Sequence, residues 1–446
     1  MSDLKPKILI ISSANPFKGP GVLGVDARDA FISQGYECDL LTKYEVPEHP
    51  EIISICKNGI SFLQRVIRRI EHICFILLTY LTSGILYTRQ QKPEFCFFYA
   101  KEEIPPVSSR KILRKIQKDY DLVIIYFWQE LLTFKTVEAI YDKLHCPIMF
   151  KGVDYSQMAG GCHFTGPCIK YMTGCGSCDG LGSTDPNDFT HHNVKYRKRV
   201  YDKVKPIVFG NSYMTEFYNR SFLLKDYKRK ELGYPIINGD DFYPMNVDAL
   251  RLKYDISDKV EYVLFFGSQN VNDERKGITY MLESFMYFHD LLSEEERKSV
   301  VLLIAGQNID AIKGRLPFNY IYVGYVPSSQ LPELYSVANV FISPSVNDAG
   351  PMMVNQSLMC GTPVVGFAMG AMLDAVKDKG TGFCAPLRDS LALADCLLKM
   401  YRLVIDQPEE YMKMRETCAD FGVRSYTPKY YVEHIMSVYD KYKDGK

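Results

Sequence analysis

Short apolar runs recur along the chain, each followed by a polar loop and then a helical pattern. In the first half they fall at 7–13, 36–42, 121–127, 147–151 and 206–210. In the second half they fall at 262–267, 300–305, 320–324, 340–343 and 363–367. Most are continuous rather than alternating, so both faces of each strand are expected to be buried. That is the pattern of parallel strands in α/β units. Two such series predict an α/β chain of two Rossmann-like, doubly wound domains. The break is expected in IINGDDFYPMN, where Asn238-Gly239-Asp240-Asp241 is turn chemistry and Pro244 interrupts any helix. The first domain then spans 1–243 and the second 244–428. A last amphipathic helix is predicted over 429–442, with Tyr431, Ile435, Val438 and Tyr439 about a turn apart.

Ligands of open α/β sheets bind at the carboxyl ends of the strands, and with two such domains the expected site is the cleft they face. Three loops have the chemistry for it. After strand 340–343 come Asp348, Gly350 and Pro351, then the helix beginning MMVNQSLM. Proline suits the first helical position, and a helix start offers unpaired N–H groups and a positive dipole end to an anion. After strand 262–267, which ends in Gly267, comes Arg275-Lys276-Gly277 at a helix start. Two cations there oppose the helix dipole and make better sense facing an anion. After the first strand, Gly19, Gly21 and Gly24 let backbone approach a ligand, although they do not form a dinucleotide fingerprint, and a plain structural turn stays open.

Gly267 with Lys276-Gly277, then YVPSSQLPELYSVANVFISPS, then Asp348, Gln356 and CGTPVV resemble the nucleotide-sugar domain of GT-B glycosyltransferases of family 4. IINGDDFYP resembles that family's interdomain segment. The resemblance covers most of 206–387. It implies a GT-B fold whose C-terminal helix, 429–446 here, packs back on the first domain. It also implies sugar transfer from a nucleoside diphosphate sugar with retained configuration and without a catalytic metal. Lys276 and Arg275 then neutralise the diphosphate together with the amides of Gly350, Met352 and Met353. Gly267, Gly19 and Gly21 line the same donor, Gln356 contacts the ribose, and Asp348 contacts the donor sugar. The acceptor is expected against the first domain near Asp154.

The chain departs from the family pattern in several places. Two family glutamates, eight positions apart, are Asp348 and Gln356 here. The arginine expected after Gly267 is replaced by Ser268-Gln269, which leaves Arg275 to supply the second cation. In KGVDYSQMAGGC, Val153 stands where many relatives have histidine, while Asp154 is kept. These departures leave two rivals open: a non-catalytic protein that binds a sugar nucleotide, and a GT-B-like sugar-nucleotide epimerase.

The stretch 160–180 contains Cys162, Cys168, Cys175 and Cys178, separated by five, six and two residues, with His163 beside the first. Glycines make it a compact loop. It resembles a GGCHY…C…CGxC segment found in a subset of the family. Four thiols so close suggest a structural zinc site, with free cysteines and disulfides as alternatives.

At 446 residues the chain is long enough for two cores. Its 47% hydrophobic content and 24% charged content describe a globular protein, and its formal net charge of +0 gives no support for a nucleic-acid partner. Thirteen cysteines and the short apolar run at the N-terminus suggest a cytoplasmic protein. Within 59–87, Arg65, Arg68 and Arg69 precede the apolar run ICFILLTYLTSGILY. That suits a helix lying on an anionic inner-membrane face, with a buried core helix and a spanning helix as alternatives. A lipid-linked glycan acceptor in surface polysaccharide biosynthesis would account for such a segment.

Overall fold

The structure is a computed structural model. It describes residues 5–17, 19–55, 101–152 and 154–444, with single positions between 66 and 97. The chain divides into two compact units. One runs through Gly210, continues over Met214–Gly233 and takes up the chain again from Tyr431. The other comprises Asn211–Tyr213 and Tyr234–Tyr430.

Each unit is built on a parallel sheet. In the first, seven strands lie in the order Ile53–Ser54, Cys38–Thr42, Ile8–Ser12, Leu122–Ile125, Ile148–Lys151, Ile207–Gly210 and Lys230–Leu232. In the second, six lie in the order Asn319–Gly324, Val300–Gln307, Tyr262–Asn270, Val340–Ser343, Val364–Phe367 and Gly382–Ala385. Both sheets place the first strand beside the fourth, the doubly wound arrangement that the apolar runs predict. Interior strands such as Ile8–Ser12, Leu122–Ile125 and Val340–Ser343 are buried along their whole length, as continuous apolar runs require. Three edge strands, Ile53–Ser54, Lys230–Leu232 and Gly382–Ala385, have no counterpart among the predicted runs; they are two to four residues long and only partly buried.

The two faces of the second sheet carry separate cores. Leu264, Phe266, Leu302 and Ile304 pack with Phe285, Phe288, Leu397 and Tyr401. Val263, Phe265, Val301 and Leu303 pack with Tyr335, Leu358, Cys418 and Tyr426. Successive strand residues thus feed opposite faces.

The division falls at 233/234 rather than at 243/244. The turn chemistry at Asn238 is present, with its side chain accepting from the Asp240 amide at 3.1 Å. It lies inside the second unit, because Ile237 already donates its N–H to the Tyr426 carbonyl at 2.8 Å. The last helix, Pro428–Tyr442, buries Tyr431, Ile435 and Val438, and also Val432, Met436 and Tyr442. From Tyr431 it belongs to the first unit. Its Tyr431 hydroxyl meets that of Tyr126, His434 bonds the Leu232 carbonyl at 2.8 Å, and Lys441 and Tyr442 both reach Glu231 at 2.6 Å.

Among the described residues no helix is long and apolar enough to cross a membrane. Most of 59–87 lies outside the described residues.

A buried ion pair and a buried lysine organise the first unit. Arg197 donates through Nε and Nη2 to Glu102 Oε1, each at 2.7 Å, and through Nη1 to the Ser156 and Ala159 carbonyls. Glu102 Oε2 accepts from the Phe134 amide at 2.7 Å. Removing one partner of a buried, hydrogen-bonded pair strands the other, at a cost of about 3–5 kcal/mol. Arg197→Ala is expected to lower stability by that amount in urea unfolding.

The buried lysine is Lys151, whose Nζ lies 4.7 Å from the centre of the Phe209 ring and 5.3 Å from that of Tyr431. Burial pushes its pKa from 10.5 down to about 7, while the rings favour the cation. Between those two values the unfolded chain holds the proton that the folded chain has released. Stability therefore rises with pH across that window, by up to about 1.4 kcal/mol per unit. Lys151→Met is expected to abolish that part of the rise, read by urea unfolding of both chains across the window.

Candidate functional site

The strand Tyr262–Asn270 ends in a tight turn built by its own polar residues. Asp273 accepts the Arg275 amide at 3.0 Å, and the Lys276 and Gly277 amides bond back to Asp273 and Glu274 at 2.9 and 3.0 Å. Gly277 then opens the helix Ile278–Asp290 at φ +72°. A Cβ there would sit 1.8 Å from the Pro344 carbonyl oxygen, so only glycine lets this helix start so close to the end of Val340–Ser343. From the other side, the Arg275 carbonyl accepts the Val346 and Asn347 amides at 2.9 and 3.2 Å.

These bonds pin the loop after Val340–Ser343 against the turn and bring Asp348 to Lys276. Asp348 Oδ2 lies 2.5 Å from Lys276 Nζ, and its Oδ1 accepts the Gly350 amide at 3.0 Å. Both loops leave neighbouring strands where the strand order reverses, the position at which ligands of such sheets bind.

The adjoining helix is Met352–Met359. Pro351 is its cap, with ψ 115°, and not its first helical residue, so the amides of Met352 and Met353 head the helix. A Cβ on Gly267 would lie 2.5 Å from Met353 Cε, so the glycine makes room for Met353. Asn211 Nδ2 donates to the Ala349 carbonyl at 2.5 Å and steadies the loop behind Gly350. One turn along the helix, Gln356 Oε1 accepts from Tyr335 Oη at 3.1 Å. Tyr335 sits in YVPSSQLPELYSVANVFISPS, yet nothing in its spacing marks it as a partner of Gln356.

The structure thus gathers Lys276, Asp348, Gly350, Met352 and Met353, with Gly267 and Gln356 beside them. Arg275 points elsewhere: its guanidinium pairs with Asp273 at 2.8 Å. A lysine, a loop amide and a helix start form a site for an anion, and here the Asp348 carboxylate already uses two of these donors.

In the first unit, Gly19 lies at φ +53° with open space where a side chain would go. At Gly21 a Cβ would fall 1.8 Å from the Asn15 carbonyl oxygen, so this glycine is required by its own loop. Val153 lies outside the described residues. Asp154 is 1% exposed: its Oδ1 accepts the Ser156 amide at 2.6 Å, and its Oδ2 accepts Gln129 Nε2 at 3.1 Å and meets His163 Nδ1 at 2.7 Å. His163 is partly exposed. It is nine positions from Asp154 in the chain, and no motif links the two. Tyr126 and Trp128, at a strand end, are core residues, with Trp128 edge-on to Phe134 and Phe150.

Cys162, Cys168, Cys175 and Cys178 line one cavity, together with Tyr171 and Thr190. All four are free, and Cys168 Sγ accepts the Lys170 amide at 3.4 Å. Among the described residues no group of three or more His, Cys, Asp or Glu is arranged to hold a metal ion. The zinc expectation is therefore not supported. Burial holds the Cys175 and Cys178 thiols up at about 12 and about 11, and that of Cys162 well above its ordinary range, which favours protonated sulfur.

Residues 260–402 match the family of glycosyl transferases, group 1. The O-antigen chain mannosyltransferase B of Escherichia coli is 28% identical over 127 residues, 27% of this chain and 32% of that protein. The phosphatidyl-myo-inositol mannosyltransferase of Mycobacterium leprae is 25% identical over 184 residues, 40% of this chain and 46% of that protein. The chain matches less than half the length of either relative. Sucrose-phosphate synthase from Thermosynechococcus elongatus superposes with a TM-score of 0.65 at 16% identity, over 99% of this chain and 100% of that one. The second domain therefore carries the signature of the group 1 glycosyltransferase family, and the two Rossmann-like domains have the GT-B fold.

The contact at Gly277 makes a clear test of how the site is built. Gly277→Ala meets both the positive φ and the Pro344 carbonyl. It is expected to lower stability by about 1–3 kcal/mol or more, read by thermal unfolding.

Proposed function

We propose that the protein is a retaining glycosyltransferase of family 4 that moves a sugar from a nucleoside diphosphate sugar to a glycan or lipid-linked glycan in surface polysaccharide biosynthesis. The observation that carries this reading is Lys276 beside the amides of Gly350, Met352 and Met353, within the segment that matches the family. In this reading the lysine and the amides neutralise the diphosphate as its bond to the sugar breaks, so transfer needs no metal for that task. The acceptor oxygen forms the new bond to the sugar, and its proton passes to the departing diphosphate. Gln356 holds the ribose, Asp348 the donor sugar, and Asp154 acts through His163 on the acceptor side. The names of the two mannosyltransferases favour a polysaccharide or lipid-linked acceptor.

Within 59–87, the described positions Val66, Ile70, Ile73, Leu77 and Leu81 are helical and exposed, Leu81 to 76%. Their sequence spacing of three or four residues matches the helical period, with Arg65, Arg68 and Arg69 close by in sequence. Such a pattern suits peripheral attachment to an anionic membrane surface. Leu77→Asp with Leu81→Asp is expected to reduce co-sedimentation with phosphatidylglycerol-containing vesicles about tenfold; unchanged binding would exclude this attachment.

The donor reading is tested by thermal shift against UDP-, GDP-, ADP- and TDP-sugars, with Lys276→Ala as control. One nucleotide series is expected to raise the unfolding temperature of the native chain and to have lost that effect in the variant. A stabilised protein that releases no nucleoside diphosphate when offered lipid-linked acceptors would be a binding protein and not a transferase.

A further inference from the structure

We propose that Asp348 is an internal anion that holds the diphosphate seat, and that it thereby favours the sugar nucleotide over the free nucleoside diphosphate. The inference rests on the donor-site reading above and gives Asp348 a second role within it.

The Asp348 carboxylate satisfies two donors at once, Lys276 Nζ at 2.5 Å and the Gly350 amide at 3.0 Å. These are the kinds of group that a phosphoryl oxygen uses: one ammonium and one backbone N–H near a helix start. The surrounding backbone keeps Asp348 there. The Arg275 carbonyl fixes the amides of Val346 and Asn347, and Asn211 holds the Ala349 carbonyl, so the chain on both sides of Asp348 is tied down. The side chains of Lys276 and Asp348 are 30% and 16% exposed, so the pair is only partly screened by water.

A diphosphate arriving at Lys276 meets that carboxylate as a like charge. The two anions repel at close range, so the carboxylate must turn away and give up both bonds. A carboxylate left without donors in a partly buried place is costly. A free nucleoside diphosphate has no sugar hydroxyl beyond its second phosphate to offer it. A sugar nucleotide does, because sugar hydroxyls adjoin the second phosphate and can donate to the displaced carboxylate. Asp348 therefore penalises the free nucleotide and returns part of that penalty to the donor. The same preference would help the spent nucleotide to leave after transfer.

The test is calorimetric titration of the full chain with UDP, GDP, ADP and TDP and with their glucose conjugates, in the native chain and in Asp348→Asn. The variant removes the charge and keeps the shape. Free nucleoside diphosphate is expected to bind Asp348→Asn about tenfold or more tightly than it binds the native chain, while the sugar nucleotide gains less, so the ratio of the two affinities shrinks. Asp348→Ala is expected to move in the same direction. If Asp348→Asn binds the free nucleotide no more tightly than the native chain does, the inference is overturned while the donor site stands. Binding by the variant alone supports a seat held by Asp348. If neither chain binds any of the nucleotides, the donor-site reading fails and the inference fails with it.

Discussion

Parallel pairing is the constraint on which the rest of the structure depends. A chain that pairs parallel strands must cross back between them, so the loops that follow the strands gather at one edge of each sheet. Where the strand order reverses, two such loops become neighbours although they are far apart in sequence. That is how Lys276, after the first strand of the second sheet, comes to lie 2.5 Å from Asp348, after the fourth. The local bonds then refine the placement. Gly277 allows the close approach, and the Arg275 carbonyl clamps the second loop to the first turn. The placement of these side chains follows from topology first and from residue type second.

The same physics explains what could be read from the chain alone. Strands buried on both faces need apolar residues at every position, so Ile8–Ser12, Leu122–Ile125 and Val340–Ser343 announce themselves. Edge strands such as Lys230–Leu232 bury little and carry charge, so their composition does not distinguish them from loops. The boundary near Asn238 was displaced because turn residues mark a bend, and a bend need not separate two cores. At the site, residues whose role depends on local geometry were legible: Gly277, Gly350, Lys276 and the helix-start amides. Residues defined by a partner across loops were not. Tyr335 on Gln356, His163 on Asp154 and the Lys276–Asp348 pair require the fold to bring them together. Arg275 is the converse case, since a cation adjacent in sequence was drawn instead to Asp273.

The cysteine loop shows how a compact, glycine-rich segment is anchored by polar contacts. Asn193 donates to the Gly160 carbonyl at 2.8 Å, and Arg197 takes the carbonyls of Ser156 and Ala159. The Cys178 amide donates to Asp188 at 2.8 Å, and Asp188 also caps the helix Phe189–Val204. Buried polar groups must be satisfied, and here a charged side chain and an amide side chain from one helix meet the carbonyls that the loop presents. The anchoring is therefore polar, and Glu102, which fixes Arg197, links the loop to the amide of Phe134.

That anchoring bears on the Asp154 region. With Ser156 and Ala159 held from behind, the backbone after Asp154 is fixed, and the carboxylate faces Gln129 and His163 with its oxygens already engaged. A buried carboxylate in this position limits the orientations open to the imidazole it pairs with. His163 Nδ1 lies 2.7 Å from Asp154 Oδ2, which ties the imidazole to the fixed backbone. In both units, then, an aspartate that its sequence setting suggested would touch a sugar is found holding a basic side chain: Lys276 in one and His163 in the other. The difference is burial. Asp154 is 1% exposed, while the Asp348 side chain keeps 16% of its surface open to solvent.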